Sequence, residues 1–254
     1  MSSNDIIQRK QTMANAAELQ ALKQAVYEAN MLLVQWQLVV HTWGNASGIS
    51  ADRQYMVIKP SGVNYHELEP AAMVVVELAT GAVVNSSLRP SSDTPTHRAL
   101  YLHDPQLQGI VHTHSSYATS WAQAGLDLPC LGTTHADHFA GPIPCTRLLK
   151  PEEIVRDYEY NTGMAIIEEF TRRQLSFATM PAVLVRDHGP FILSTTGALA
   201  AAALARTLET VAQMAFQTRM LNPYPKIEPA LFKKHYRRKH GAKAYYGQPS
   251  VKSP

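Results

Sequence analysis

Cysteine is nearly missing: Cys130 and Cys145 are the two among 254 residues. Two thiols make neither a disulfide framework nor a CxxC metal site, and they read as buried, inert side chains. Long apolar runs are missing as well. The longest, Gly197–Ala205, falls well short of the roughly 18 residues of a membrane span. The first residues, MSSNDIIQRKQ, hold no apolar core of signal-peptide length, so the expectation is a cytoplasmic protein with no membrane partner. Glycine and proline, at 13 and 16 residues, are too few for a collagen or a linker. No GxGxxG follows a strand-like segment, which leaves nicotinamide chemistry without support. Internal repeats and low-complexity blocks are likewise absent.

What is present suits a packed core. Apolar residues make up 45% and charged residues 17%, which excludes wholesale disorder. The length allows one large or two small domains. The net charge of +3 is unevenly placed. Seven of the 23 basic residues follow Glu228, where no acidic residue lies, so the body up to Glu228 holds 16 basic against 20 acidic groups, a balance of −4. A basic tail of this kind can bind nucleic acid, form a solvated helix face, or supply cations to an anionic substrate. The interleaved aromatics His235, Tyr236, Tyr245 and Tyr246 and the acidic body argue against nucleic acid.

The pattern alternates helices and strands. Ala16 to about Gln37 reads as a helix with Leu19, Leu22, Val26, Leu33 and Trp36 on its apolar side. Met56–Ile58 and Met73–Leu78 are strand-like, and Gly81 turns into Val83–Val84 as a hairpin. Ser92 or Asp93 caps a helix with Pro95 in its first turn, running to about Leu102. Gly109–Val111 leads a strand into His112-Thr113-His114, followed by a helix from Tyr117 to Ala124. Glu152–Arg173 reads as one helix, Ala182–Val185 as a strand ending near His188, and Gly197–Met220 as a long Ala-rich helix. Hairpin signals beside crossovers point to an α/β fold: a single three-layer α/β/α domain with a central, largely antiparallel sheet. The domain is expected over residues 15–248, with an active-site tail over 225–248, a loose extension over 1–14 and a disordered end over 249–254.

Chemistry concentrates in the histidines. Seven of the 11 fall between His97 and His188. On a strand, residues i and i+2 share a face, so His112 and His114 present two imidazoles side by side. Neutral imidazole is a good zinc ligand, and three ligands with an open position suit catalysis. His188, in a loop after a buried strand, is a candidate third ligand, and Asp93 at a helix start can face the same space. Taken alone, an HxH pair is more often two surface residues than a metal site. Three polar loops have anion-binding character: Thr42-Trp-Gly-Asn45-Ala-Ser47, Lys59-Pro-Ser61-Gly62 and Pro90-Ser-Ser92-Asp93. The last opens a helix whose unpaired N–H groups favour a phosphate. Each alone reads as an ordinary turn; beside a metal cluster they suggest a phosphosugar site.

Several blocks occurring in order carry a resemblance: TWGNASG (42–48), VIKPSGV (57–63), PSSDTPTH (90–97), GIVHTHS (109–115), TTHAD (133–137), IPCTR (143–147), DHGPF (187–191) and KHYRRKHGAKAYYGQ (234–248). From about Leu22 to Gln248 the chain resembles the class II aldolase/epimerase family, and within it the L-ribulose-5-phosphate 4-epimerases. The resemblance implies a zinc site of His112, His114 and His188 with Asp93 beside it, manganese or cobalt being possible occupants of such ligands. It implies phosphosugar contacts from Gly44, Asn45, Ser61, Gly62, Ser91 and Ser92, with Lys59 among them. It implies Asp137 and Tyr246 as the acid/base pair, His235 and Arg238 nearby, and a C4 homotetramer in which Asp137 and Tyr246 reach a metal held by the adjacent subunit. The family commonly has Tyr where His138 stands and a second aromatic where Ala140 stands. The implied reaction is metal-dependent 4-epimerisation of L-ribulose 5-phosphate to D-xylulose 5-phosphate through retro-aldol cleavage of C3–C4. Two other readings compete: a phosphosugar aldolase of the same fold, in which Glu is typical where Asp93 stands, and a non-catalytic scaffold like the adducin head, which tends to lose the histidines.

Overall fold

The computed structural model describes residues 3–84, 86–241, 244 and 245, with the backbone alone over 3–15. No glycine or proline interrupts the chain before Gly44, and helix α1 accordingly runs unbroken over Ser3–Gln35. It thus begins inside the stretch expected to be loose.

Among the described residues seven strands form one sheet: β1 (Asn45–Ile49), β2 (Tyr55–Ile58), β3 (Val74–Glu77), β4 (Val83–Val84), β5 (Gly109–His112), β6 (Ala182–Val185) and β7 (Gly189–Ser194), in the order β4-β3-β2-β1-β5-β7-β6. Every neighbouring pair is antiparallel. Two strands come from segments that sequence reading left as loops. β1, with sequence NASGI, has little β-propensity, yet it lies between β2 and β5 and is fully buried. Its small residues are a packing requirement: a Cβ on Gly48 would lie 2.8 Å from Leu22 Cδ1 and 3.2 Å from Val26 Cγ2 of α1. β7 opens with Gly189-Pro190 and carries its apolar residues after that pair.

Helix α2 (Thr94–His103) packs on the opposite face from α1. Ser47 reaches His97 and Tyr101 of α2, whereas its neighbour Gly48 meets α1; adjacent strand residues point to opposite faces. Helix α3 (Ser116–Ala124) follows β5, α4 (Thr133–Ala136) is a single turn, and α7 (Ala198–Leu221) crosses the α1 face. The fit of α7 to β5 is tight, since a Cβ on Gly109 would sit 2.3 Å from the Gly197 carbonyl carbon. The helix expected over Glu152–Arg173 is two: α5 (Pro151–Val155) and α6 (Tyr158–Arg173). Asp157 adopts a left-handed conformation at the break, φ 54°, which an aspartate tolerates better than most residues. α6 lies on α2 and contacts β6, completing the three layers. α8 (Pro229–His240) then packs on α4.

Candidate active site

Cross-strand register builds the floor of the site. Asn45 of β1 pairs with His112 of β5, which pairs with Phe191 of β7, so all three project from the α2 face. The His112 ring stacks on Phe191 at 4.2 Å and 18°. Its Nδ1 lies 3.0 Å from the Pro190 carbonyl; only an N–H can bond there, so Nε2 keeps its lone pair. His114 falls two residues on, past the strand end. His188 stands in the β6–β7 hairpin loop beside Asp187, whose φ of 61° supplies the turn.

Together the donor atoms of His112, His114 and His188 lie within 4.8 Å of one another, and His112 Nε2 is 3.1 Å from His114 Nε2. Two nitrogens bound tetrahedrally to one ion at zinc distances sit about 3.4 Å apart. The His112–His114 separation is close to that value and the third imidazole is within reach, so the donor set fits a divalent metal. Burial pushes the His112 ring down to about 3, helped by neighbouring His114. Burial and then His112 push His188 down to about 3, and burial lowers His114 against the pull of Asp93. The three imidazoles are therefore neutral, as ligands must be. The Tyr158 hydroxyl lies 3.2 Å from His188 Nδ1 and orients that ring.

Asp93 stands at the N-terminal boundary of α2, but its carboxylate makes no capping hydrogen bond. Its Oδ2 instead accepts from Asn45 Nδ2 at 2.7 Å, and the same amide nitrogen lies 3.1 Å from Ser91 Oγ. A helix start that forgoes its cap has spent the side chain elsewhere.

A cavity of about 480 Å³ opens over this cluster. Eleven of the residues expected in the site line it: Gly44, Asn45, Lys59, Ser61, Gly62, Ser91, Ser92, Asp93, His112, His114 and His188. The loops converge because Ser61 N–H donates to Arg89 O and Ser91 N–H to Lys59 O, each at 2.9 Å. Gly44 must be glycine: φ is +73°, and a Cβ would lie 2.9 Å from His112 O. Lys59 is 2% exposed. Its ammonium donates to the carbonyls of Val63, Thr42 and Pro60 at 3.0, 3.3 and 3.4 Å, and burial pushes it down to about 8.

The remaining expected residues lie elsewhere. Asp137, at the end of α4, is held by α8: Arg238 Nη2 and Nε donate at 2.6 and 3.0 Å, and His235 Nδ1 lies 3.1 Å away. Burial alone would raise this carboxyl, but the bonds from Arg238 and His235 outweigh it and hold it below its ordinary value. Asp137, His235 and Arg238 do not line the cavity. Tyr246 lies outside the described residues. Sequence reading missed Trp43, Tyr158 and Glu159 as cavity walls. Trp43 sat inside a quoted motif; the other two emerge because the helix breaks at Asp157.

Such an α/β fold, with three histidine nitrogens placed where one ion could be held, is of the class II aldolase type, and comparison with known proteins agrees. Residues 24–216 match the class II aldolase and adducin N-terminal domain family, and the chain belongs to that family. It is 52% identical over 228 residues to a Mycoplasma pneumoniae protein named as a probable L-ribulose-5-phosphate 4-epimerase, UlaF, covering 89% of this chain and 94% of the relative. Among solved structures, an L-fuculose 1-phosphate aldolase superposes with a TM-score of 0.71 at 22% identity, over 86% of this chain and 95% of that one. The L-fuculose 1-phosphate aldolase from Glaciozyma antarctica does so with 0.69 at 15%, over 87% and 82%. At these identities the structures establish the fold. The family match ends before α8, which carries His235 and Arg238.

Proposed function

We propose that this chain is a metal-dependent epimerase that converts L-ribulose 5-phosphate to D-xylulose 5-phosphate. The observation that carries the reading is a single cavity lined both by three neutral imidazoles and by Ser, Gly and Asn loops with a buried ammonium behind them. The 52% identical relative supports the choice of substrate.

C4 of the substrate is not adjacent to the C2 ketone, so its hydrogen is not acidic and direct deprotonation is very slow. Breaking C3–C4 avoids that difficulty. In this reading His112, His114 and His188 hold zinc, or manganese or cobalt in its place, with Asp93 alongside. When bound, the ion supplies Lewis acidity toward the C2 carbonyl. Backbone N–H groups and hydroxyls around Gly44, Asn45, Ser61, Gly62, Ser91 and Ser92 seat the phosphate, at the N-terminus of α2 and near the Lys59 charge. A base removes the C4 hydroxyl proton, and the C3–C4 electron pair moves onto C3 and C2 as an enediolate. C4 becomes an aldehyde anchored by its phosphate. It rotates, re-adds through its other face, and a second group returns the proton to the C4 oxygen.

Two acid/base groups are required, and Asp137 and Tyr246 fill these roles here, with His235 and Arg238 holding Asp137. Because the Asp137 cluster stands apart from the cavity of its own chain, the reading has it serve a neighbouring chain in a cytoplasmic C4 homotetramer. The catalytic domain spans 15–248, with 225–248 as the tail that completes the site.

Incubating the zinc-loaded protein with L-ribulose 5-phosphate tests this directly. Accumulation of D-xylulose 5-phosphate is expected. Accumulation of free glycolaldehyde phosphate would make the chain an aldolase. No turnover with either zinc or manganese would favour a scaffold.

A further inference from the structure

Beneath the cavity floor lies a buried polar chain that the mechanism leaves unused. Ser47 and His97 are fully enclosed and Tyr101 is 1% exposed. Ser47 Oγ sits 2.7 Å from His97 Nδ1 and 2.9 Å from the Tyr101 hydroxyl. The other ring nitrogen, His97 Nε2, is buried without a hydrogen-bond partner among the described residues, and so is Asn45 Oδ1. Buried polar atoms left unpaired are few in native chains, and each calls for an explanation.

Placement suggests what His97 Nε2 serves. Side chains on a helix lean toward its N-terminus, over the residue four earlier; four before His97 stands Asp93, whose backbone carbonyl accepts the His97 N–H at 3.0 Å, and the two side chains reach Ser47 and Asn45, two residues apart on one face of β1. Asn45 already occupies Asp93 Oδ2, which leaves Oδ1 for another donor. A lone pair on Nε2 turned toward that carboxylate would repel it, whereas an N–H would be attracted. That favours the ring proton on Nε2, an arrangement in which the Ser47 hydroxyl donates to Nδ1 and the Tyr101 hydroxyl donates to Ser47. Phe191 links the same ring to the ligand cluster, edge-on to His97 at 6.0 Å and stacked on His112 at 4.2 Å.

We propose that His97 is a positioning residue for Asp93: Tyr101 and Ser47 lock its ring so that Nε2–H supports the carboxylate opposite the Asn45 amide when the ion and phosphosugar bind. This rests on the reading of the three histidines as a metal site.

Two measurements test it. Long-range ¹⁵N–¹H spectra of wild-type protein labelled at histidine should show His97 as the Nε2–H tautomer; an Nδ1–H tautomer overturns the proposal and needs no variant to fold. Zinc titration of metal-free variants is the second. His97→Gln places an amide nitrogen near the Nε2 position, whereas His97→Asn reaches only to Nδ1. The Asn variant should bind zinc about 10–100-fold more weakly and the Gln variant within about threefold of wild type. In an Asp93→Asn background the His97→Asn change should cost nothing further. Equal affinities for both variants, or full additivity with Asp93→Asn, overturns the role of His97. A wild-type chain that binds no zinc overturns the metal site instead, and the tautomer then decides the role of His97 by itself.

Discussion

Replacing Lys59 by methionine removes a positive charge that the cavity keeps almost wholly from solvent, at 2% exposure. Methionine keeps the unbranched apolar stem, so packing over Tyr65, whose ring centre is 4.7 Å from the ammonium, is largely retained. What is lost is the cation and its bonds to three loop carbonyls. A unit charge about 5 Å from a phosphate at an effective dielectric of about 20 contributes about 3 kcal/mol, or roughly 10²-fold in binding. KM for the phosphosugar should rise by about that factor, with kcat less affected. The pH dependence sharpens the test. Above pH 7 a phosphate monoester stays mostly dianionic, whereas Lys59, pushed down to about 8 by burial, loses its proton. Wild-type affinity should be full below about pH 8 and fall by up to about tenfold per unit above it, and the variant should lack this limb. Unfolding cannot mimic the effect: a folded-state value of about 8 against an ordinary 10.5 means that this group makes folding more favourable as pH rises between the two. Initial rates from pH 7 to 9.5 on both proteins decide. A variant KM within about threefold of wild type, or a flat wild-type KM through pH 8, would refute the reasoning.

His112→Ala should remove the retained metal and the activity together, measured by elemental analysis and turnover; an active variant would take the metal out of the mechanism. Tyr246→Phe should keep its metal while kcat falls about 10²–10⁴-fold with KM little changed; unchanged turnover assigns the proton to another residue. In metal-free protein His97 and His112, both pushed down to about 3 by burial, bind fewer protons folded than unfolded. Their contribution is complete above the ordinary value of about 6.5 and is lost toward pH 3 at about 1.4 kcal/mol per unit each, and His188 and His135, also pushed down by burial, act in the same direction, so Tm should drop by at least about 10 °C from pH 7 to pH 5; a level Tm contradicts this. Gly109→Ala puts a Cβ 2.3 Å from Gly197 C and must push α7 off β5; a cost of about 1–3 kcal/mol or more should lower Tm by about 2–4 °C per kcal/mol, and an unshifted melting curve would show the contact to be soft.

Legibility followed the physics of each segment. β2, β3 and α7 announce themselves because apolar runs and a turn at Gly81 carry the signal on the chain itself. β1 does not: Gly48 is small because α1 lies against it, while Asn45 and Ser47 hold polar side chains where a core strand would place apolar ones. The chemistry of the site erased the periodicity that would have revealed the strand. His112 and His114 could be paired from spacing alone, although His114 already lies past the end of β5. The engagement of Asp93 with Asn45 is a contact between β1 and the start of α2, 48 residues on, and no local pattern encodes it. Asp137 and the tail gained meaning only from the family resemblance, since a loop acid and a basic helix are common in isolation.

The tail is held in an unusual way. α8 has no buried residue among those described, so apolar burial contributes little to its position. Polar bonds tie it to α4 and the residues just after: Arg238 and His235 to the Asp137 carboxylate, His240 Nε2 to the Asp137 carbonyl at 2.9 Å, and Lys239 to His138 at 3.3 Å. Most of these converge on Asp137. In the proposed reaction the same carboxylate exchanges a proton, and the segment that α8 leads into carries Tyr246. One ion-pair cluster then does two things: it sets the charge state of Asp137, and it fixes where the chain carrying Tyr246 begins. A carboxylate held below its ordinary value is a weak base, so its proton affinity must rise as substrate arrives. In the proposed shared site the dianionic phosphosugar would supply the physical means, because negative charge brought near Arg238 and Asp137 from the neighbouring chain's cavity offsets the guanidinium and raises the carboxyl.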